Sequence, residues 1–278
     1  MIIKKIWGEL SYDSRKEKTI AVYVETEKGA FAGSAPEGKS TGKYEAPAFI
    51  GGVESVIGKI NSLSEKIIKL NIDKFDDLIE VEKIVNKNNV RNPLVSGSTK
   101  SGLRLRTDMD KDFVGCGANA VIALESAILK ALAADQKKEI WELINPKARK
   151  FPYPIGNVIG GGKHTELTKG SKPDFQEFLI IPQSDRFSEN VDIMNEVHSV
   201  LKKKLKTLRA RGKLNDEGAW STSLNNEEVL RVLDDVRNDL ILQTNKKISI
   251  GVDVAASSFY SKGDYKYKNQ RKKLSKGD

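Results

Sequence analysis

A two-domain α/β protein is the fold class that the sequence predicts, and three observations carry it. At roughly 150 residues per domain, a chain of 278 residues makes about two domains, and 38% hydrophobic residues supply a core for each. The chain opens on a hairpin followed by helices, as an α+β unit does, whereas its second half interleaves compact strands with long amphipathic helices. Between them KARKFPYP, 147–154, combines charge with two prolines that cannot continue a helix. The boundary is expected there, giving domains over 1–146 and 147–278.

KTIAVYVET at 18–26 alternates as a strand does, and EKG at 27–29 returns it as a hairpin into AFAGSA. Helices are expected over 53–70 and 73–87, the second with Asp76 and Asp77 near its positive end. Residues 88–114 lose all periodicity and read as polar loop. Val121, Leu124, Ile128 and Leu132 then recur at spacings of three and four through GANAVIALESAILKALAA, which carries two charges and reads as a mostly buried central helix. Past the boundary, DFQEFLII (174–181) and KISIGVDV (247–254) are strand signals. Two helices separate them, one striped by Phe187, Val191, Met194, His198, Leu201, Leu205 and Leu208, the other by Val229, Val232, Val236 and Leu240. The second half is thus expected as strand, strand, helix, helix, strand. It closes on KKLSKGD, 272–278, a frayed polar terminus in which Ser275 and Asp278 have capping-box spacing with no helix after them.

The net charge is +9, from 47 basic and 38 acidic residues, but the last seventeen residues carry seven Lys or Arg against two Asp. A basic tail on a nearly balanced body argues against nucleic acid as the partner. One cysteine, Cys116, excludes an internal disulfide and any multi-cysteine zinc site, and two histidines exclude a His-rich metal site. The start, MIIKKIWGELSYD, has no apolar core of signal-peptide length, and no run of eighteen apolar residues occurs. A cytoplasmic location without a membrane partner is expected.

Several short patterns compete for the chemistry. GSAPEGKS, from Gly33 to Ser40, satisfies the P-loop pattern, which would make the chain a nucleotide-binding phosphotransferase. A P-loop needs a buried parallel strand before it and a helix directly after. Here the strand belongs to a hairpin, Pro36 sits in the loop, and Gly42 and Pro47 interrupt any helix, so Ser40 and Thr41 are read as presented on a mobile glycine-rich loop. DMDKD at 108–112 opens like a calcium loop, but Phe113 and Asn119 stand where glycine and glutamate are required. Glu177 lies in FQEFLII, apolar on both faces, where a carboxylate must be paired or functional; a buried ion pair with a lysine is the structural alternative. Asp253 ends its strand opposite to Ile248, Ile250, Val252 and Val254, so in an α/β barrel it would point into the catalytic mouth. Asp216 and Glu217 lie in the NDEGAW loop, His164 follows three glycines on a flexible backbone, and His198 falls on its helix's apolar stripe as a satisfied core-edge histidine.

In order, PEGKSTGKYEA (36–46), GANA (117–120), NVIGGGKH (157–164), FQEF (175–178), NDEGAW (215–220) and GVDVAASSFY (251–260), with DSR at 13–15, resemble the motifs of the enolase family, phosphopyruvate hydratases, in an archaeal-like form. The resemblance implies an α+β N-terminal enolase-like domain followed by the opening part of an incomplete enolase-type α/β barrel that begins β-β-α-α. It implies Mg²⁺-dependent, glycolytic dehydration of 2-phosphoglycerate to phosphoenolpyruvate, in a superfamily whose sites join a lysine or histidine base to one or two Mg²⁺ ions. By motif, Glu217 matches the proton donor, Glu177 its acidic partner, His164 the histidine on a closing loop, and Gln176 a substrate contact. Asp253 matches the first Mg²⁺ ligand, and Ser40 the loop residue that reaches the second. DSRKEKT and PEGKST depart from the usual DSRGNPT and PSGAST, and Lys39 adds charge to the loop.

Motifs that would supply two more carboxylate ligands, the catalytic lysine and the phosphate-holding residues find no match after Asp253. The resemblance therefore implies a C-terminally truncated chain with three of eight barrel strands, incomplete or inactive alone. Strand 247–254 would then keep an unpaired edge and expose its four aliphatic side chains. Two associations are open, a homodimer or a complementary C-terminal barrel polypeptide. Outside enzymology, a degenerate paralogue acting as a binding protein through its basic tail is the alternative.

Overall fold

In a computed structural model the described residues are 1–38, 45–86, 115–165, 172–268, 272–275 and 277. They fall into two compact units, one running to Arg149 and one from Lys150. Among the described residues no helix is long and apolar enough to cross a membrane.

In the first unit, β1 (Ile3–Tyr12), β2 (Lys18–Thr26) and β3 (Gly29–Ser34) form an antiparallel sheet in chain order. The hairpin of β2 and β3 matches the expectation, whereas β1 is a strand that periodicity does not announce. A register shift between Ile3 and Lys5 is the reason. It lets Ile3 and Ile6, three residues apart, both enter the core, which breaks the alternation of an ordinary strand. Ile20, Val22 and Val24 of β2 are fully buried, against α1 (Val53–Ile68) and α3 (Ala118–Gln136). Between these helices a short 3₁₀ turn, Phe75–Asp77, leads into α2 (Leu78–Val85), and Asp77 caps it by accepting from the Asp73 and Lys74 amides. A further short helix, α4, spans Ile140–Ile144.

The approach of α3 to β3 disposes of the P-loop pattern. A Cβ on Gly33 would stand 2.0 Å from the carbonyl oxygen of Ala123, so this glycine serves helix packing inside a strand. The stretch that follows is tied down from two sides. Asn119 Nδ2 donates to the Ala35 and Pro36 carbonyls at 3.0 and 2.8 Å, and Arg15, clamped by Asp13, donates to the Glu37 carbonyl. The DSR and GANA motifs thus meet at one loop. Lys39, Ser40 and Thr41, like the calcium-like stretch 108–112, lie outside the described residues.

Glu125 on α3 gives this unit a pH signature. Burial first, then the Glu82 carboxylate, push its carboxyl from an ordinary 4.5 to about 7, and its Oε1 is buried without a partner. An acid raised in the fold binds its proton more tightly there than in the unfolded chain. Stability is therefore full below about pH 4.5 and declines as pH rises toward about 7. Glu125→Gln is expected to raise the urea midpoint at about pH 8 and leave it unchanged near pH 4. Equal shifts at both pH values would refute this titration.

The second unit holds β4 (Gly156–Gly160), β5 (Glu177–Pro182), α5 (Phe187–Thr207), β6 (Arg211–Leu214), β7 (Trp220–Thr222), α6 (Asn226–Thr244) and β8 (Ile248–Asp253). Their sheet runs β6-β7-β4-β5-β8, with β5 antiparallel to β4 and β8, and β4 parallel to β7. Helix α6 buries its expected stripe, whereas α5 buries Ile193, Val197, Leu201 and Leu205 and leaves Phe187, Val191 and Leu208 of its expected stripe exposed. Val197, Leu201, Val229 and Val236 pack with Phe178 and Ile180 of the sheet. The opening runs β-β-α-β-β-α-β, with the β6–β7 hairpin standing between the two helices that were expected to follow one another. Among the described residues the sheet is open and no barrel closes.

Four expectations are corrected here. The β6–β7 hairpin adds two strands, too short for periodicity to show. Strand β5 begins at Glu177, three residues late, because Asp174 and Phe175 turn to donate their amides to Asn226 Oδ1. The tail is not simply frayed: β9 (Tyr260–Ser261), β10 (Asp264–Tyr267) and β11 (Lys272–Leu274) form a small sheet. Phe259, Tyr265 and Tyr267 gather there, with Phe175 beside Phe259 and Tyr267. Lastly, β8 is an outer strand, but α6 covers much of its aliphatic set. Ile248 is buried and Ile250 half-buried, while Val252 remains 40% exposed.

Candidate active site

Strand ends bring the acidic residues together. Cross-strand register sets Glu177, the first residue of β5, opposite Gly160 at the end of β4 and Asp253 at the end of β8. After β4 the chain makes a tight 3₁₀ turn, Gly162–His164, and after β6 it makes the hairpin turn that carries Glu217. Three side chains, one from a strand end and two from turns, thus converge on one end of the sheet.

His164 is buried, and its backbone and that of the glycines before it are hydrogen-bonded on several sides. Gly161 and Gly162 donate their amides to the Gln176 and Pro173 carbonyls, and Asn215 Nδ2 donates to the His164 carbonyl at 2.9 Å. Lys172 Nζ bridges the Gly162 and Thr165 carbonyls at 2.8 and 3.0 Å. Burial, with Lys268 nearby, holds that ammonium below the usual lysine range.

The imidazole Nδ1 lies 2.9 Å from Glu217 Oε2 and 3.2 Å from Glu177 Oε1. Both carboxyls reach the same ring nitrogen, which donates to an ionised carboxylate or accepts from a protonated one. Glu217 Oε2 also accepts from Asn157 Nδ2 at 3.0 Å. Glu177 is raised above the ordinary carboxyl range by burial first and then by the Glu217 charge, His164 pulling the other way and Asp253 adding to the rise. Its partner is a histidine, in place of the lysine that the structural alternative supposed. Two carboxyls and one imidazole at hydrogen-bond distance form a proton-exchanging cluster: whichever group gives up a proton, a neighbour can resupply it.

Asp253 and Gln176 make a second locus. Asp253 Oδ1 accepts the Ala255 amide at 3.0 Å, and Oδ2 accepts weakly from Gln176 Nε2 at 3.4 Å. Gln176 is 5% exposed, and its Oε1 is buried with no partner. Ser40 lies outside the described residues. The structure therefore gathers Glu217, Glu177 and His164, and sets Gln176 beside Asp253. A carboxylate beside an unpartnered amide oxygen fits a hard cation such as Mg²⁺, which prefers oxygen donors. His164, Glu177 and Glu217 also offer ligand atoms within 4.8 Å of one another, but Nδ1 there is engaged by both carboxylates.

Asn157 and Asn215 carry no role in the sequence motifs, although each is the first residue of one, NVIGGGKH and NDEGAW. Lys172 carried no signal at all. His198 was assigned to the core edge, yet its ring reaches the hairpin turn.

Residues 3–144 match the family description "Enolase, N-terminal domain", and residues 148–278 match "Enolase, C-terminal TIM barrel domain". A protein named "Enolase" from Ehrlichia ruminantium (strain Welgevonden) is 31% identical over 283 residues, covering 95% of this chain and 60% of that protein. A second "Enolase", from Methanosphaera stadtmanae, is 28% identical over 272 residues, covering 95% and 59%. The chain spans about three fifths of the length of these curated relatives.

Proposed function

Because the chain belongs to the enolase family, we propose that it contributes the acid side of a lyase site that dehydrates 2-phosphoglycerate to phosphoenolpyruvate, a step of glycolysis. The observation that carries this reading is the contact of one imidazole nitrogen with both Glu177 and Glu217. Loss of the C3 hydroxyl as water needs a carboxylic acid that is protonated when substrate arrives. Glu217, the more exposed of the two, gives its proton to the departing oxygen. Glu177, whose burial raises its proton affinity, keeps a proton in the cluster, and His164 relays it back. Asn157 holds the Glu217 carboxylate, and the free Oε1 of Gln176 meets substrate or metal.

Mg²⁺ is the cofactor of this reading. Asp253 would hold it, with Ser40 from the loop by motif, and it would supply positive charge where the substrate becomes an enolate. The domains proposed for this division of labour are 1–146 and 147–278, in a cytoplasmic protein.

The test is an assay of 2-phosphoglycerate with Mg²⁺, reading absorbance growth from phosphoenolpyruvate. The 278-residue chain is mixed with a polypeptide that carries the remaining family barrel motifs. Turnover is expected in the mixture, and its absence from a demonstrated complex of the two would overturn the proposal.

A further inference from the structure

We propose that His198 is a positioning residue, whose imidazole holds the Gly218 carbonyl and so fixes the turn that delivers Glu217 to His164. This rests on the acid–base reading of the His164, Glu177 and Glu217 cluster and goes beyond it by naming what keeps the cluster in register.

The hairpin turn between β6 and β7 is well bonded within itself. Asn215 Oδ1 accepts from the Glu217 and Ala219 amides at 3.0 and 2.9 Å, and the Asn215 carbonyl accepts from the Gly218 amide at 3.1 Å. Those bonds set the shape of the turn but not where it stands relative to α5. Gly218 adopts φ +78°, and nothing lies within 4 Å of where its Cβ would be, so no side chain can anchor this point. His198 supplies an anchor from α5: Nε2 lies 2.9 Å from the Gly218 carbonyl oxygen. A carbonyl only accepts, so Nε2 carries the proton.

The anchor is itself anchored. The His198 ring stacks on Trp220, centroids 5.1 Å apart and planes at 26°, and Trp220 Nε1 donates to the His198 carbonyl at 3.1 Å. Trp220 stands two residues beyond Gly218, at the start of β7. Helix and hairpin therefore grip each other twice, His198 to Gly218 and Trp220 to His198, immediately beside Glu217. A displacement of about 1 Å at a reacting group can cost on the order of a hundredfold in rate. A carboxylate on a glycine-containing turn needs this grip.

Two histidines in the whole chain make the experiment simple, since a sample labelled with ¹⁵N-histidine shows two imidazoles. His198→Gln keeps an N–H donor near the place of Nε2 but loses the ring. His198→Phe keeps a ring for Trp220 but loses the donor. The Gln variant is expected to preserve the His164 Nδ1 shift, while the Phe variant moves it toward the value in Glu217→Gln. In the Phe variant, exchange of the Glu217 and Ala219 amides should also quicken by roughly five- to tenfold, the scale of one lost hydrogen bond. Loss of the shift in Gln with retention in Phe would make His198 a packing residue and overturn the proposal, as would retention in both or loss in both. Should the Phe variant not fold, His198→Leu is read in the same way. None of these signals depends on turnover. If Glu217→Gln itself leaves the His164 shift unmoved, the acid–base reading fails and not the anchor.

Discussion

Assayed alone with Mg²⁺, the 278-residue polypeptide is expected to form no measurable phosphoenolpyruvate from 2-phosphoglycerate. The proton to be removed is weakly acidic because it sits beside a carboxylate, and negative charge builds on that carboxylate as the proton leaves. A positioned base contributes about 10²- to 10⁴-fold, and metal charge contributes several kcal/mol more. By the resemblance, the quoted motifs supply no proton-abstracting lysine, and Asp253 is the one carboxylate that they assign to the metal. On the proposed reading, what the quoted motifs supply is the acid side: Glu217 and Glu177 around His164. An acid that assists a leaving group cannot act before the carbanion forms, so the missing step limits the whole reaction. Absorbance growth above the uncatalysed rate, lost in Glu217→Gln, would refute the expectation. In the mixture with the remaining barrel, the same variant should lower turnover by about 10²- to 10⁴-fold.

The candidate site was legible in the sequence where its residues fall in short motifs. Glu177, Glu217 and His164 each stood in a quoted string, and strand register together with two turns brings them into contact. His198 shows where such reading stops. Helical spacing put it on an apolar stripe that the fold does not bury as a whole, and that position cannot disclose that its ring packs on Trp220 and its edge meets a carbonyl twenty residues away. The same limit hid Lys172, whose partners are carbonyls and leave no trace in side-chain pattern.

For the fold, helices were the easier elements. α3 and α6 repeat their stripes over many turns, so periodicity survives local noise. β1 lost its alternation to one register shift, and β6 and β7 are too short to have any. In the tail, a basic composition masked aromatic residues that close a small sheet with Phe175. Charge described its surface, while packing set its conformation.

The second unit is expected to unfold before the first and to self-associate through β8. The two borders of its sheet differ in a way that matters. On β6 the exposed Arg211 and Lys213 discourage another strand from pairing there. The outer side of β8, by contrast, has no pairing strand among the described residues, and it carries Val252, 40% exposed, in place of a charged residue. Covering an aliphatic side chain fully is worth roughly 1.5 to 3 kcal/mol. Because α6 already covers Ile248 and part of Ile250, the deficit is confined to the Val252 end of the strand. A loss of about 2 kcal/mol still weighs heavily against a typical domain stability of roughly 5 to 15 kcal/mol. The first unit has its own core, in which Ile20, Val22, Ile60 and Ile128 are fully buried. Calorimetry should therefore resolve two transitions, with hydrogen exchange assigning the lower one to residues after about 150. Sedimentation should show association that grows with concentration and weakens in Val252→Lys, since a charge on an outer strand opposes pairing. A polypeptide that supplies the neighbouring barrel strands should raise the lower transition toward the upper one. A monomer at all concentrations, with uniformly strong amide protection through Asp253, would show that this border needs no partner.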